Sequence, residues 1–306
     1  MSKIAFIFPG QGSQYPGMGK ELAENFKIAR ETFAEADDAL DFRISRICFE
    51  GPEEELKLTF NTQPAILTVS IAALRVLCSE TQLCAEFLAG HSLGEYSAFV
   101  AAGALTFADA VRTVRARGTF MQEAVPVGVG TMAAIIGVEP EILAEICREA
   151  AQGEVVAPAN YNSPGQIVIA GHTAAVGRVI EIAKSRGFRK AMLLPVSAPF
   201  HCSLMAPAGE RLAQTLSGVS FSQMAIPVVT NVEAHPNQDE SRVPELLVRQ
   251  VSAPVLWEAS VIRMVDMGVE RFVEIGPGKV LSGLVKRITK NADVCNIEDL
   301  GTLKAV

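Results

Sequence analysis

Ser92 is the residue around which a reaction could be organised. It sits in Gly90-His91-Ser92-Leu93-Gly94, a G-x-S-x-G pentapeptide. In that pattern a serine is held at a sharp strand-to-helix turn that exposes its hydroxyl as a nucleophile. Glycines on both sides leave room for close backbone packing, and the helix N-terminus offers N–H groups to a developing oxyanion. The flanks fit this context, since "CAEFLAG" reads as a strand entering the turn and "LGEYSAFVAAGAL" as a helix leaving it. Such a serine could give an acyl group to water or to another acceptor, and the pentapeptide leaves both open.

A serine nucleophile needs a base, and the chain has four histidines: His91, His172, His201 and His235. His91 adjoins the serine, so its side chain should leave the turn in another direction. His172 reads as a strand end and His235 as part of a polar Ala-His-Pro turn. His201 follows "PVSAPF", a loop returning to the main body of the chain, and is the best candidate. A hydrolase triad in the order Ser, acid, His requires a carboxylate between them. The only aspartate between Ser92 and His201 is Asp109, which pairs with Thr106 as a helix start. The expectation is a Ser92–His201 dyad, with the histidine oriented by a backbone carbonyl.

Other groupings carry less chemistry. "GQGSQYPG" has Tyr15 where a dinucleotide fingerprint needs glycine, and Gly17 is followed by Met18 rather than the lysine of a phosphate loop. Its role could be to place backbone N–H groups beside the nucleophile. The six cysteines are scattered without C-x-x-C spacing, which reads as reduced, mostly buried thiols and gives no metal site. With 27 Lys+Arg against 34 Asp+Glu the net charge is −7, and no basic stripe interleaved with aromatics occurs, which argues against nucleic acid. No segment reads as a membrane span or a signal h-region, so the expected location is cytoplasmic.

The elements that must position these residues can be read in outline. "KIAFIFPG" is a buried strand, and "NTQPAILTVSIAALRVLCSE" is a core helix whose start Thr62 and Pro64 mark. Thr106 opens a helix running to about Glu123. From Gly130 the order becomes β-α-β-β-α-β, the ferredoxin-like unit, as an insert of about seventy residues bounded by Pro126 and Pro195. Outside it strands and helices alternate, which argues a mostly parallel α/β sheet. The expected division is 1–126 with 198–306 as the main domain and 127–197 as the insert.

With "FPGQGSQ" after the first strand, "GHSLGE" at the turn, "APFH" at 198–201 and "EIGPGKVLSGL" near the end, the chain resembles the malonyl-CoA:acyl carrier protein transacylases of fatty-acid synthesis. The resemblance spans essentially the whole chain. It implies an α/β-hydrolase-like main domain, malonyl-CoA and holo acyl carrier protein as partners, and no metal or bound cofactor. It makes Ser92 the nucleophile and His201 the acid/base, with the N–H groups of Gln11 and Leu93 as the oxyanion hole. Arg117 would bind the malonyl carboxylate, a choice that composition cannot make over Arg112 or Arg115. The main-chain carbonyl of Gln250 would orient the histidine, and Asn160 and Asn162 would line the thioester channel. Phe200 stands before His201 where some relatives carry serine, and would act on substrate selectivity. Carrier proteins of this pathway are generally acidic, so docking would fall to a local basic patch, either "KSRGFRK" at 184–190 or "KRITK" at 286–290.

Overall fold

In the computed structural model, which describes residues 3–196 and 198–305, the first apolar run forms strand β1 (Lys3–Phe8). The other strands are β2 (Phe87–Gly90), β3 (Gly130–Ile136), β4 (Val156–Ser163), β5 (Gln166–His172), β6 (Lys190–Leu193), β7 (Val228–Val229), β8 (Pro236–Asn237), β9 (Val269–Ile275) and β10 (Asp293–Ile297). One sheet has the order β10-β9-β1-β2-β7-β8 and is parallel except for the last pair. The short β8 and the edge strand β10, whose "DVCNI" is half polar, had no clear signature in the sequence.

Side-chain alternation along β1 assigns the two faces of this sheet. Phe6 and Phe8 enter a cluster with Ile66, Val69 and Phe99, whereas Ala5 and Ile7 meet Trp257, Val261 and Phe272 on the other side. A parallel sheet covered by helices on both faces accounts for the nearly continuous apolar runs in its strands.

The helix Thr59–Glu80 starts earlier than its proline suggests. Pro64 lies inside it, not at its first turn. Proline has no N–H to donate to the carbonyl four residues back. That carbonyl, of Phe60, instead accepts from Arg115 Nη1 at 2.9 Å, so the helix continues through the proline. By length and composition this helix is apolar enough to cross a membrane, which the sequence reading did not anticipate. Over its most apolar 18 residues it is 78% buried inside the protein, as a core helix is.

The second sheet has the order β4-β5-β3-β6, with every pair antiparallel. One face, through Ala133, Ile135, Ile167 and Ile169, packs on the helices Pro140–Ala151 and Thr173–Ser185. The opposite face, through Met132, Ala134, Val168 and Ala170, joins the core of the main body. The antiparallel sheet therefore lies with one face against the parallel-sheet body. Residue 197, the last of the expected insert, falls outside the described residues.

All six cysteines are free thiols. Cys48, Cys147 and Cys202 are buried and Cys295 is half-buried, but Cys78 and Cys84 are exposed, against the expectation of mostly buried thiols.

Candidate active site

The turn after β2 is built by close backbone contact. A Cβ on Gly90 would lie 1.9 Å from the carbonyl carbon of Gly94, and one on Gly94 would lie 2.0 Å from the oxygen of Phe8. No side chain fits at either position, which explains both glycines of the pentapeptide. Between them Ser92 has φ 52, a left-handed conformation costly for a residue with a Cβ. Its backbone is held on both sides. Ser92 N–H donates to Asn231 Oδ1 at 2.7 Å, and Ser92 O accepts from Gln250 Nε2 at 2.8 Å.

Ser92 Oγ lies 2.7 Å from His201 Nε2. The other ring nitrogen, Nδ1, lies 2.8 Å from the main-chain oxygen of Gln250. A carbonyl only accepts, so Nδ1 carries the proton and the lone pair of Nε2 faces the serine hydroxyl. His201 is buried, at 4% exposure. Burial pulls its imidazole down to about 3, and the nearby Arg117 cation adds to the effect. The ring is thus neutral and ready to accept a proton. Asp109 is committed elsewhere, accepting from the Thr106 hydroxyl at the start of the helix Phe107–Glu123.

Arg117 projects from that helix into the same cavity and is 1% exposed. Nη1 donates to Gln63 Oε1 at 2.8 Å, and Nη2 donates to Gln250 Oε1 at 2.8 Å and to Ser92 Oγ at 3.1 Å. Among the described residues its Nε–H has no partner and no carboxylate forms a salt bridge with it. A buried guanidinium satisfied only by neutral groups leaves a place for an anion. The neighbouring arginines are occupied differently. Arg112 pairs with Asp109 at 3.1 Å, and Arg115 holds the Phe60 carbonyl and Asn61.

A cavity of about 100 Å³ joins these groups. The main body lines it with Gln11, Leu93, Met121 and Phe200 beside the dyad and Arg117, and the insert adds Met132 and Asn160. Among the described residues no acceptor takes the main-chain N–H of Gln11 or of Leu93. Both are open to an oxyanion. Asn162 does not line the cavity; its Oδ1 lies 2.9 Å from His91 Nε2, tying the insert to the nucleophile turn. His91 lines the same cavity, and its ring meets Asn162.

Sequence reasoning missed Gln63, Glu95 and Asn231. The signal for Glu95 was a carboxylate in an otherwise small and apolar helix, Gly94–Ala101, where it is 0% exposed. Gln63 carried a similar mark, a polar residue in an apolar helix. Asn231 had none, because only the chain's return beside β2 brings it to the turn. Among the described residues no group of three His, Cys, Asp or Glu side chains could hold a metal ion.

The comparisons with known proteins agree with this geometry. The acyl transferase domain family matches residues 5–305. The malonyl CoA-acyl carrier protein transacylase of Salmonella typhimurium is 49% identical over 305 residues, covering 100% of this chain and 99% of the relative. That of Bacillus subtilis is 48% identical over 305 residues, covering 99% of this chain and 96% of the relative. Among solved structures, an acyl carrier protein S-malonyltransferase from Vibrio cholerae superposes with a TM-score of 0.97 at 47% identity, covering 99% of both chains. A malonyl-transacylase solved in complex with a type II PKS acyl-carrier protein gives 0.97 at 45% identity, covering 99% of this chain and 98% of that one.

Proposed function

The chain belongs to the acyl transferase domain family, and on that premise we propose that Ser92 and His201 carry its reaction while Arg117 selects the acyl group. The protein transfers the malonyl group of malonyl-CoA to acyl carrier protein, a step of fatty-acid synthesis. The observation that carries the residue assignment is the pairing of a neutral histidine at the serine with a buried arginine that lacks a carboxylate of its own.

The reaction runs in two halves. Ser92 Oγ attacks the thioester carbonyl as its proton passes to His201 Nε2. The oxyanion is held by the N–H groups of Leu93 and Gln11. Collapse breaks the carbon–sulfur bond, and His201 returns the proton to the departing thiolate of coenzyme A. In the second half the phosphopantetheine thiol of the carrier gives its proton to His201 and attacks the malonyl ester. Its collapse returns the proton to Ser92 Oγ. Throughout, the malonyl carboxylate pairs with Arg117, which lines the cavity and reaches Ser92 Oγ through Nη2.

We read the chain as an α/β-hydrolase-like main domain, 1–126 and 198–306, carrying a ferredoxin-like insert, 127–197. The strand order β4-β5-β3-β6, with two helices on one face, supports the insert reading. Six free thiols support a cytoplasmic location.

Intact-mass measurement tests the assignment. Malonyl-CoA alone should leave a malonyl ester on Ser92 that persists until holo carrier protein is added. Ser92→Ala should take no label. Sustained release of free malonate without a carrier would favour a hydrolase, and a label on another residue would displace Ser92.

A further inference from the structure

Glu95 stands beneath the nucleophile and outside the cavity, at 0% exposure. Both of its carboxylate oxygens accept hydrogen bonds. Oε1 takes the main-chain N–H of Asn231 at 3.3 Å, and Oε2 takes the side-chain Nε2 of Gln250. These two partners are the ones that grip Ser92. Asn231 Oδ1 accepts the Ser92 N–H, and Gln250 Nε2 donates to the Ser92 carbonyl.

The Gln250 amide has two unlike ends, and the site needs one particular orientation. Oε1 must face the Arg117 guanidinium, a pure donor, and Nε2 must face the Ser92 carbonyl, a pure acceptor. Both Glu95 oxygens accept in this arrangement, and an ionised carboxylate enforces that choice because it has nothing to donate. Burial pushes the carboxyl up to about 8 against the pull of the Gln250 amide, the Asn231 N–H and Arg117, so the constraint is complete above that pH. A carboxamide there would turn an N–H toward one of two donors. Relief by flipping Gln250 would set an N–H against Arg117 and an oxygen against the Ser92 carbonyl. In a buried network each such mismatch leaves a polar group unpaired.

We propose that Glu95 is a positioning residue, acting through the Gln250 amide to aim Arg117 at the acyl carboxylate. The inference rests on the reading of Arg117 as the group that binds that carboxylate. Glu95 itself touches neither substrate nor the serine hydroxyl, so its removal should act on selectivity through Gln250. The part of its effect that passes through the Ser92 backbone falls on every acyl substrate alike.

A double-mutant cycle on the full-length protein separates this role from a purely structural one. The readout, taken at about pH 9 where Glu95 is ionised, is the ratio of kcat/KM for malonyl-CoA to that for acetyl-CoA, which has no carboxylate. Glu95→Gln should lower this ratio by roughly tenfold or more, the scale of a hydrogen bond to a charged group. Gln250→Met removes the amide and keeps the main-chain carbonyl that orients His201. In that background Glu95→Gln should change the ratio by no more than about twofold, the usual limit of additivity. If Glu95→Gln does not fold, Glu95→Met, which removes both acceptor oxygens, carries the same cycle. Equal losses on both substrates, an unchanged ratio, or a full effect surviving in the Gln250→Met background would each overturn the proposal. Arg117→Ala is the reference. If it also leaves the ratio unchanged, the carboxylate reading itself falls; if it lowers the ratio while Glu95→Gln does not, only the role of Glu95 is lost.

Discussion

Ser92 Oγ and His201 Nε2 meet at 2.7 Å although both residues are held in left-handed backbone conformations, φ 52 and φ 60. Each conformation is costly for a residue with a Cβ, and strain of this kind persists where the surroundings over-determine it. Here the surroundings are Asn231 and Gln250 on the serine and the Gln250 carbonyl on the histidine. One helix, Val243–Ser252, thereby sets both halves of the dyad through a single residue.

The acid limb of catalysis should lie well below the ordinary histidine value of 6.5, because burial and then Arg117 pull His201 to about 3. The base is active when neutral, so kcat/KM for serine malonylation should stay flat as pH falls through 6.5. The stability linkage has a definite sign. Between 6.5 and about 3 the unfolded chain binds a proton at this position that the folded chain does not. The contribution of His201 to stability is therefore complete above 6.5 and is lost progressively as pH falls toward 3. A rate profile that halves near 6.5 would contradict a neutral, buried His201.

Arg117→Ala should reduce malonyl transfer by at least about 100-fold, since breaking one side of a buried ion pair costs about 3–5 kcal/mol. Acetyl-CoA brings no carboxylate and leaves the wild-type arginine unpaired. Its transfer should suffer less, so that the malonyl-over-acetyl preference narrows or inverts. Measuring kcat/KM for both substrates decides the matter, and parallel losses would rule out the carboxylate pairing.

Phe200 lines the cavity directly before His201 and is 8% exposed. Its ring should disfavour a methyl branch on the malonyl carbon, on the scale of about 1–3 kcal/mol per methylene-sized change in a pocket. Phe200→Ser should raise kcat/KM for methylmalonyl-CoA relative to malonyl-CoA and leave acetyl-CoA poor. An unchanged methylmalonyl ratio would move the steric limit to another wall, such as Met121 or Met132.

Carrier docking should depend on exposed cations. In the stretch 184–190 Arg186 is already paired with Glu145 and Glu149, which leaves Lys184, Arg189 and Lys190 without salt bridges among the described residues. Lys286 and Arg287 are exposed at the end of the helix Val280–Ile288, and Arg287 reaches Gln166 of the insert. Reversing Lys286 and Arg287, or Arg189 and Lys190, should slow transfer to the carrier and spare malonylation of Ser92. The salt dependence of the second half-reaction should weaken in the affected variant; if it is unchanged in both, neither patch steers the carrier.

The nucleophile, its turn and the alternation of elements were legible in the sequence because each is a local property. Gly90 and Gly94 announce close packing, and the cap at Thr106 and the β-α-β-β-α-β rhythm follow from neighbouring residues alone. Pro64 misled for the same reason. A proline reads locally as a helix start, whereas the carbonyl it leaves free is satisfied by Arg115, 51 positions further along the chain. The choice among Arg112, Arg115 and Arg117 was likewise beyond composition, since all three are arginines on one helix. Only the crossing of that helix over Thr59–Glu80 turns Arg117 toward Gln63 and Ser92 and leaves its neighbours with Asp109 and Phe60. Glu95 joins Asn231 and Gln250 in a network only when the nucleophile turn and a segment more than a hundred residues later are folded together. The sequence by itself determined the serine at the sharp turn, the proposed nucleophile. The tertiary structure decided what holds it and what charge faces it, because burial and hydrogen-bond partnership are properties of the packed chain.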